Sequence, residues 1–450
     1  MKILKNKILV IAGLMTILGT ASCKKWVNDT PQPLQVDEST LFSTEKGFQD
    51  ALYGVYLQMA GQSLYGRDLT LGVLSVTGRS YDVNISPTIG NLFYQGARYN
   101  FQDKALKDYA ADVWSKMYQS IANLNNLLVN IEAKKEMLAV NNYNRYKGEA
   151  LALRAYLHFD LLRLFAPAPA VGIGTEKGIP YVKTIQSTTT ATATVDEVML
   201  QCIADLKTAE SLLEPNDVTD YRLNNWAVKG LLARVYLYKG DHENAQNYAN
   251  AVIASNKFLL AKNNTDLFFS NEGLFNLFVY QSQAFHKSVL TDQVTLGLSA
   301  ASQTELYVTG NGATADWRKS FVDPSTGLGS GSPFMPKKFY PLGTKSSFPM
   351  IRLTEMYYIA AECAVKKNDA LTATNLLDSV RVHRNLPKYT LTALPLDNLS
   401  DEIGKEYQKE FISEGQLFFY FKRKNTPFSA LPFTKVPVDA NATYVFVRPE

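Results

Sequence analysis

Apolar residues recur at three- and four-residue intervals along most of this chain, the spacing that lines one face of an α-helix. Over Glu45–Met59 that face carries Phe48, Leu52, Val55, Tyr56 and Met59, and Ser43-Thr44 precede it as cap candidates. Residues 103–131 repeat the pattern with Val113, Trp114, Met117, Ile121, Leu124 and Leu128. Residues 141–165 are apolar around most of the circumference, which predicts a helix buried on several sides, and Pro167 and Pro169 end it. From 166 to 193 the helical period is lost in a stretch rich in Pro, Gly and Thr, which reads as a loop. Helical spacing resumes over 194–213, where Thr194 and Glu197 stand as a capping box.

Two later segments match each other. Aligning Lys239-Gly240-Asp241 with Lys367-Asn368-Asp369 places Ala233 over Ala361, Ala245 over Ala373 and Val252 over Val380. Small residues there let paired helices approach closely. An apolar helix, a tight polar turn and a second helix is the tetratricopeptide plan. Residues 149–165 with 195–213 are a candidate third pair, interrupted by the loop, and about three repeats are needed for a stable stack. Residues 260–348 differ: Gly, Ser, Thr and Asn surround scattered aromatics and short strand-like runs. A structureless loop of that length is uncommon. The expected fold is therefore mostly α, with tetratricopeptide-like helix pairs as scaffold and an irregular, loop-rich subdomain of about 260–348 containing a few short strands.

The first 22 residues change the picture of location. MKILKNK is basic, the apolar run from Ile8 to Leu18 is too short to span a bilayer, and Thr20, Ala21 and Ser22 precede Cys23. This predicts a signal peptide over 1–22 and lipidation of Cys23. Residues 23–40 form a polar, proline-containing tether, and 41–450 a single domain. Without the three lysines of the leader, 43 basic side chains face 42 acidic ones. A balance so near neutral argues against nucleic-acid binding, which needs a basic surface to neutralise phosphates. Cys202 and Cys363 lie in helical patterns and read as buried thiols, with a disulfide between them as the alternative.

Several segments together resemble the SusD/RagB family of Bacteroidetes outer-membrane lipoproteins. They are TLFSTEKGFQDALYGVY, VWSKMYQSIANLNNLL, GEALALRAYLHFDLLRLFAPAP with GIPYV downstream, TVDEVMLQCIADLKTAESLL, WAVKGLLARVYLYKGD, IRLTEMYYIAAECA and EYQKEFISEGQLFFYFKR. They cover most of the chain in the family's order. The last segment departs from the family's E-G-x-R-x-x-D-x-x-R, with Leu417 and Tyr420 where Arg and Asp are expected. The resemblance implies a cell-surface, lipid-anchored, non-catalytic protein. It would capture oligosaccharides and pass them to a SusC-like TonB-dependent outer-membrane transporter. Peptide capture, as in the RagB-like branch, and a tetratricopeptide interaction scaffold are the alternatives.

Enzyme chemistry finds little support. H-E-x-x-H, C-x-x-C, the Walker A loop and G-x-G-x-x-G are all absent, and four histidines leave little for a metal site, so neither metal nor cofactor is expected. Glu410 and Glu414 stand one helical turn apart, a spacing that reads as a solvated face rather than a glycosidase pair. His158, in the apolar helix, reads as a core histidine. A saccharide site needs aromatic planes for sugar C–H faces and amide or charged groups for hydroxyls. Two stretches offer that mixture: Tyr81, Asp82, Asn84, Asn91, Tyr94, Gln95 and Tyr99 in the first, and Tyr280, Gln281, Phe285, Tyr307, Asn311, Trp317 and Arg318 in the second. The candidate ligand contacts are Tyr81, Asp82, Asn84, Tyr94, Gln95, Tyr99, Tyr280, Trp317 and Arg318. Trp114 and Trp226 are assigned to the core.

Overall fold

The computed structural model describes residues 37–170, 172, 174–185, 188–219, 221–290, 296–307, 316–324, 334–339, 346–433 and 435–449. The expected signal peptide, Cys23, most of the tether and Asn311 lie outside the described residues. The described residues fall into two units that meet in the chain at Gly47–Phe48. In the first, Asp37 caps the short helix Glu38–Leu41 by accepting from the Thr40 amide at 2.9 Å. Thr44 Oγ1 accepts from the Gly47 amide at 3.2 Å, the cap foreseen for Glu45–Met59.

The second unit is built from helices that pack in succession. Lys104–Ala133 lies against Val140–Phe165, which lies against Val195–Leu212. Next come Asn225–Lys239, His242–Ala254, Leu353–Lys366 and Ala370–His383, each packed on its predecessor. The three expected pairs are thus present as neighbours in one stack. Twenty consecutive positions of the Val140–Phe165 helix, from Tyr146 on, are buried apart from Lys147, as its near-uniform apolarity demanded. Its buried charges are paired: Arg154 donates to both oxygens of Asp205 at 2.7 and 2.9 Å, tying two helices together. The Thr194–Glu197 capping box forms reciprocally. In the Asn225–Lys239 pair the turn rests on Gly240, whose φ of +85° is left-handed backbone that suits glycine. Asp241 and Asp369 cap the second helices of the two matched pairs. Ala233, Ala245, Ala361 and Ala373 are all fully buried where the helices approach.

Residues 255–352 form an excursion between two helices that pack directly on each other, His242–Ala254 and Leu353–Lys366. The chain leaves and returns through the antiparallel strands Gly273–Phe278 and Ser347–Arg352. Between them stand the helices Ser282–Leu290 and Ala300–Tyr307 and a second ladder, Val322–Pro324 with Phe334–Pro336. One difference from expectation concerns the 166–193 loop: Lys177–Pro180 pairs antiparallel with Thr192–Thr194. Three- and four-residue strands are too short to show an alternating pattern. Cys202 and Cys363 are buried and free, so the disulfide alternative falls. Trp114 packs edge-on to Phe165 but keeps some exposure, and Trp226 is half-exposed with its indole N–H on Pro215 O, so neither is wholly core. Among the described residues no helix is long and apolar enough to cross a membrane.

Candidate functional site

The two candidate stretches meet. The Asp82 amide donates to Gly297 O at 2.9 Å, and the Asp82 carboxylate accepts from Ser299 N at 2.6 Å, Ser302 Oγ at 2.6 Å and Lys435 Nζ at 2.7 Å. Asp82 is therefore a clamp between segments. Burial opposes its charge, but these donors hold its pKa below the usual carboxylate range. Tyr81 is also internal, donating to Leu71 O and accepting from Ser413 Oγ. Tyr99 is fully buried, its hydroxyl on Thr77 O. Trp317 gives its indole N–H to His383 O at 2.7 Å and lies under the Arg384 guanidinium. These side chains spend their polar groups on the protein itself.

Arg318 belongs to a buried ionic cluster that sequence reasoning did not foresee. Arg318, Lys338, Arg352, Arg384 and Lys409 interlock with Glu272, Asp316, Glu406, Glu410 and Glu414. Every member is at most 6% exposed. Glu410 accepts from Arg318, Arg352 and Arg384 at 2.8–3.0 Å. Although burial raises a carboxyl pKa, the three guanidinium groups hold that of Glu410 well below its usual range. The solvated-face reading of Glu410 and Glu414 is thus corrected: both are buried, and Glu414 lies beyond the end of helix Leu396–Glu410. A carboxyl so held cannot serve as the general acid of glycoside hydrolysis. The signal was missed because each charge, taken alone, looks like a surface charge. His158 is buried, with Val182 N donating to its Nε2 at 3.0 Å, so the ring proton sits on Nδ1, facing Arg154 O. Burial pushes its pKa down to about 3.

Exposed candidates remain. Tyr94, half-buried on helix Pro87–Ala97, lies beneath Arg98, which pairs with Asp439 at 3.0 Å. Gln95 donates to Asn91 and accepts from Asn100, an amide ladder at the surface. Asn84 is half-buried with left-handed backbone. Tyr280 is 80% exposed, beyond the strand that ends at Phe278.

Two cavities lie side by side along the segments 167–170 and 422–428, the first of them backed by Tyr99. One, of about 340 Å³, is walled by Pro167, Asn425, Thr426, Phe428, Thr443 and Tyr444. Phe428 and Tyr444 stack at 4.8 Å, and Tyr99 packs behind both at 4.9 and 5.5 Å. The hydroxyl of Tyr444 donates to Thr426 O, locking the wall. Lys422 lies at the inner side, its ammonium given to Arg163 O and Leu164 O at the end of helix Val140–Phe165. The second cavity, of about 290 Å³, uses the next residues of the same two segments, Pro169-Ala170 and Arg423-Lys424. Lys239, His242, Lys366 and Glu362 complete its charged lining. The segment around 422 was legible as a family motif, but 425–428 and 442–445 are irregular and gave no sequence signal. Gly415 opens this helix at φ +71°, where a Cβ would meet Leu69 O at 2.2 Å. In the helix Gln416–Arg423, Leu417 and Tyr420 replace the family's Arg and Asp as buried packing residues. Tyr420 stacks on Tyr407 at 4.5 Å.

A helix stack carrying a loop-rich excursion, with an aromatic and amide-lined cavity at its margin, is the build of a ligand-binding protein. The comparisons with known proteins give the family. Residues 42–237 match a SusD-like family model described as starch-binding and associating with the outer membrane, and residues 278–437 match the SusD family model. The chain belongs to the SusD/RagB family. SusD-like protein P2 of Formosa agariphila is 26% identical over 249 residues, 55% of this chain and 46% of that relative. A SusD-like protein of Bacteroides ovatus is 26% identical over 280 residues, 59% of this chain and 47% of that relative. The match thus spans about half the length of these curated relatives. A SusD superfamily protein of Bacteroides thetaiotaomicron superposes with a TM-score of 0.70 at 25% identity, covering 85% of this chain and 89% of that one. A SusD-like carbohydrate binding protein of Bacteroides vulgatus gives 0.69 at 21% identity, covering 85% and 83%.

Proposed function

We propose that this protein captures oligosaccharides at the outer membrane and hands them, unaltered, to a SusC-like TonB-dependent transporter. The mature chain would be held to the cell surface by lipid on Cys23 through the tether 23–40. The observation that carries the reading is the preformed cavity in which the Phe428–Tyr444 stack stands beside Asn425, Thr426 and Thr443. Such a wall offers a plane to sugar C–H faces and amide and hydroxyl partners to sugar hydroxyls. The relatives' family description, starch-binding and associated with the outer membrane, supports it. Of the residues proposed from sequence, Tyr99 backs this wall; Asn84, Tyr94, Gln95 and Tyr280 keep accessible side chains and stay proposed ligand contacts, whereas Tyr81, Asp82, Trp317 and Arg318 are engaged within the protein.

The test is calorimetric titration of residues 24–450 against neutral and charged oligosaccharides and peptides, with Phe428→Ala and Asn425→Ala alongside. Saccharide binding that either substitution weakens tenfold or more, with no product released, is the expected result. Silence toward every saccharide from a protein with native circular dichroism would count against capture. A peptide-only response would favour the RagB-like alternative. The scaffold alternative draws on one observation of its own. Tyr221 and Phe278 meet edge-to-face at 5.6 Å while each stays 41% exposed, an aromatic pair suited to a protein partner. Transporter copurification without any saccharide binding would favour it.

A further inference from the structure

The second cavity is unbalanced in charge. Its wall carries Lys239 from the end of one helix, Lys366 from the end of another, and Arg423 and Lys424 from the segment shared with the aromatic cavity. The one carboxylate in the wall, Glu362, is already committed. Arg423 holds both its oxygens at 2.6 and 2.8 Å, and Lys424 reaches one at 3.4 Å. Despite burial these cations hold the Glu362 carboxyl down at about 2, so it stays ionised and occupied. Among the described residues, Lys239 and Lys366 have no ion pair. His242 lines the same cavity, and its Nδ1 is buried without a hydrogen-bond partner. The uncompensated cations of this concave site lack an acceptor, and the His242 nitrogen lacks any partner. Lys422, 1% exposed and bonded to two peptide carbonyls, lies in the aromatic cavity, where burial and the neighbouring Arg163 hold its pKa well below the usual lysine range, so the excess of positive charge belongs to the second cavity.

Consecutive residues wall both cavities (Pro167-Ala168 then Pro169-Ala170, Lys422 then Arg423-Lys424), which sets them side by side. We infer that the pair of cavities selects an anionic oligosaccharide. One sugar ring packs against Phe428 and Tyr444, and a carboxylate or sulfate on its neighbour is received by Lys239, Lys366 and His242. Carboxylate and sulfate share the chemistry the site asks for: compact negative charge presenting several acceptor oxygens. A saccharide fits better than an acidic peptide because the aromatic stack and the Asn425, Thr426 and Thr443 side chains adjoin the basic wall. The inference deepens the capture reading and rests on it.

The experiment titrates residues 24–450 with three oligosaccharides of equal length, one neutral, one of uronic acids and one sulfated, and with an oligoglutamate peptide. A Lys239→Ala, Lys366→Ala double variant is run beside the wild type. Both lysines lie at helix ends with exposed or half-exposed side chains, and an unchanged unfolding midpoint verifies the fold. The expected result is tighter binding of an anionic oligomer than of the neutral one, weakening as salt is raised. The double variant loses tenfold or more for the anionic ligand only. The uronate and sulfated arms tell which group is preferred. Equal binding of neutral and anionic oligomers, unmoved in the variant, overturns the inference and leaves saccharide capture standing. Binding of oligoglutamate alone overturns both.

Discussion

Replacing Glu410 by Gln is the sharpest perturbation of this fold. The side chain keeps its shape but loses its charge, and one of its two terminal atoms becomes a donor. In the native protein those atoms accept four N–H bonds: Arg352 at 2.8 Å and Arg384 at 2.9 Å on Oε1, Arg318 and Arg384 at 3.0 Å on Oε2. Whichever oxygen becomes the amide nitrogen, two guanidinium donors then face a donor in a site with no water access. Five basic groups are left with four carboxylates. Removing one partner of a buried ion pair costs about 3–5 kcal/mol. Against a total stability of about 5–15 kcal/mol, that is about a fifth or more. Urea unfolding followed by circular dichroism measures it, provided two probes give one transition. Asp108→Asn is the control: it breaks an exposed pair with Lys104 and should cost under about 1 kcal/mol. A Glu410→Gln loss below about 1 kcal/mol would refute the view that this cluster holds the excursion to the helices. Adding Arg318→Met to Glu410→Gln should cost less than Arg318→Met alone, since the two changes share one interaction.

Three further outcomes are expected. Burial keeps His158 neutral down to about pH 3, whereas the unfolded chain takes its proton near 6.5, the ordinary value for histidine. Its contribution is therefore complete above about pH 6.5 and falls, by up to about 1.4 kcal/mol per unit, as the pH drops. Stability curves of wild type and His158→Gln should diverge below about pH 6.5, and parallel curves would contradict the assignment. Gly240→Ala should cost about 1–2 kcal/mol in thermal or urea unfolding, from backbone alone, because no atom lies within 4 Å of the added Cβ. Asp82→Ala should speed amide hydrogen exchange across 296–307 while leaving the matched helix pairs protected, since its carboxylate ties that segment in place. Unchanged exchange there would show that packing alone suffices.

The helical frame could be read from the sequence because its signals are local. A period of 3.6, the Thr194–Glu197 spacing and the Lys-Gly-Asp turn each lie within one element or one connection, and each formed as read. Sites were harder because they depend on which distant segments meet. Tyr99 and Tyr94 carry the same local polarity, yet only Tyr99 is driven inward, by Phe428 and Tyr444 more than 300 residues away. Likewise Arg318 is a surface residue by composition and a core residue by contact with Glu406 and Glu410. The short ladder of the 166–193 loop escaped because three or four residues carry no usable alternation. Residues 425–428 and 442–445 have no period at all, and only folding assembles them into a wall.

The ionic cluster also bears on the order of assembly. Four of its five cations enter the chain at 318, 338, 352 and 384; Glu272 and Asp316 precede them or stand beside them, but the other three carboxylates arrive only at 406, 410 and 414. Until those residues emerge, burying the excursion would strand several charges without partners, at several kcal/mol each. A chain ending before residue 406 is therefore expected to leave the excursion unpacked, its arginines in water, while the helix pair Asn225–Lys239 and His242–Ala254, which carries no member of the cluster, keeps its own contacts.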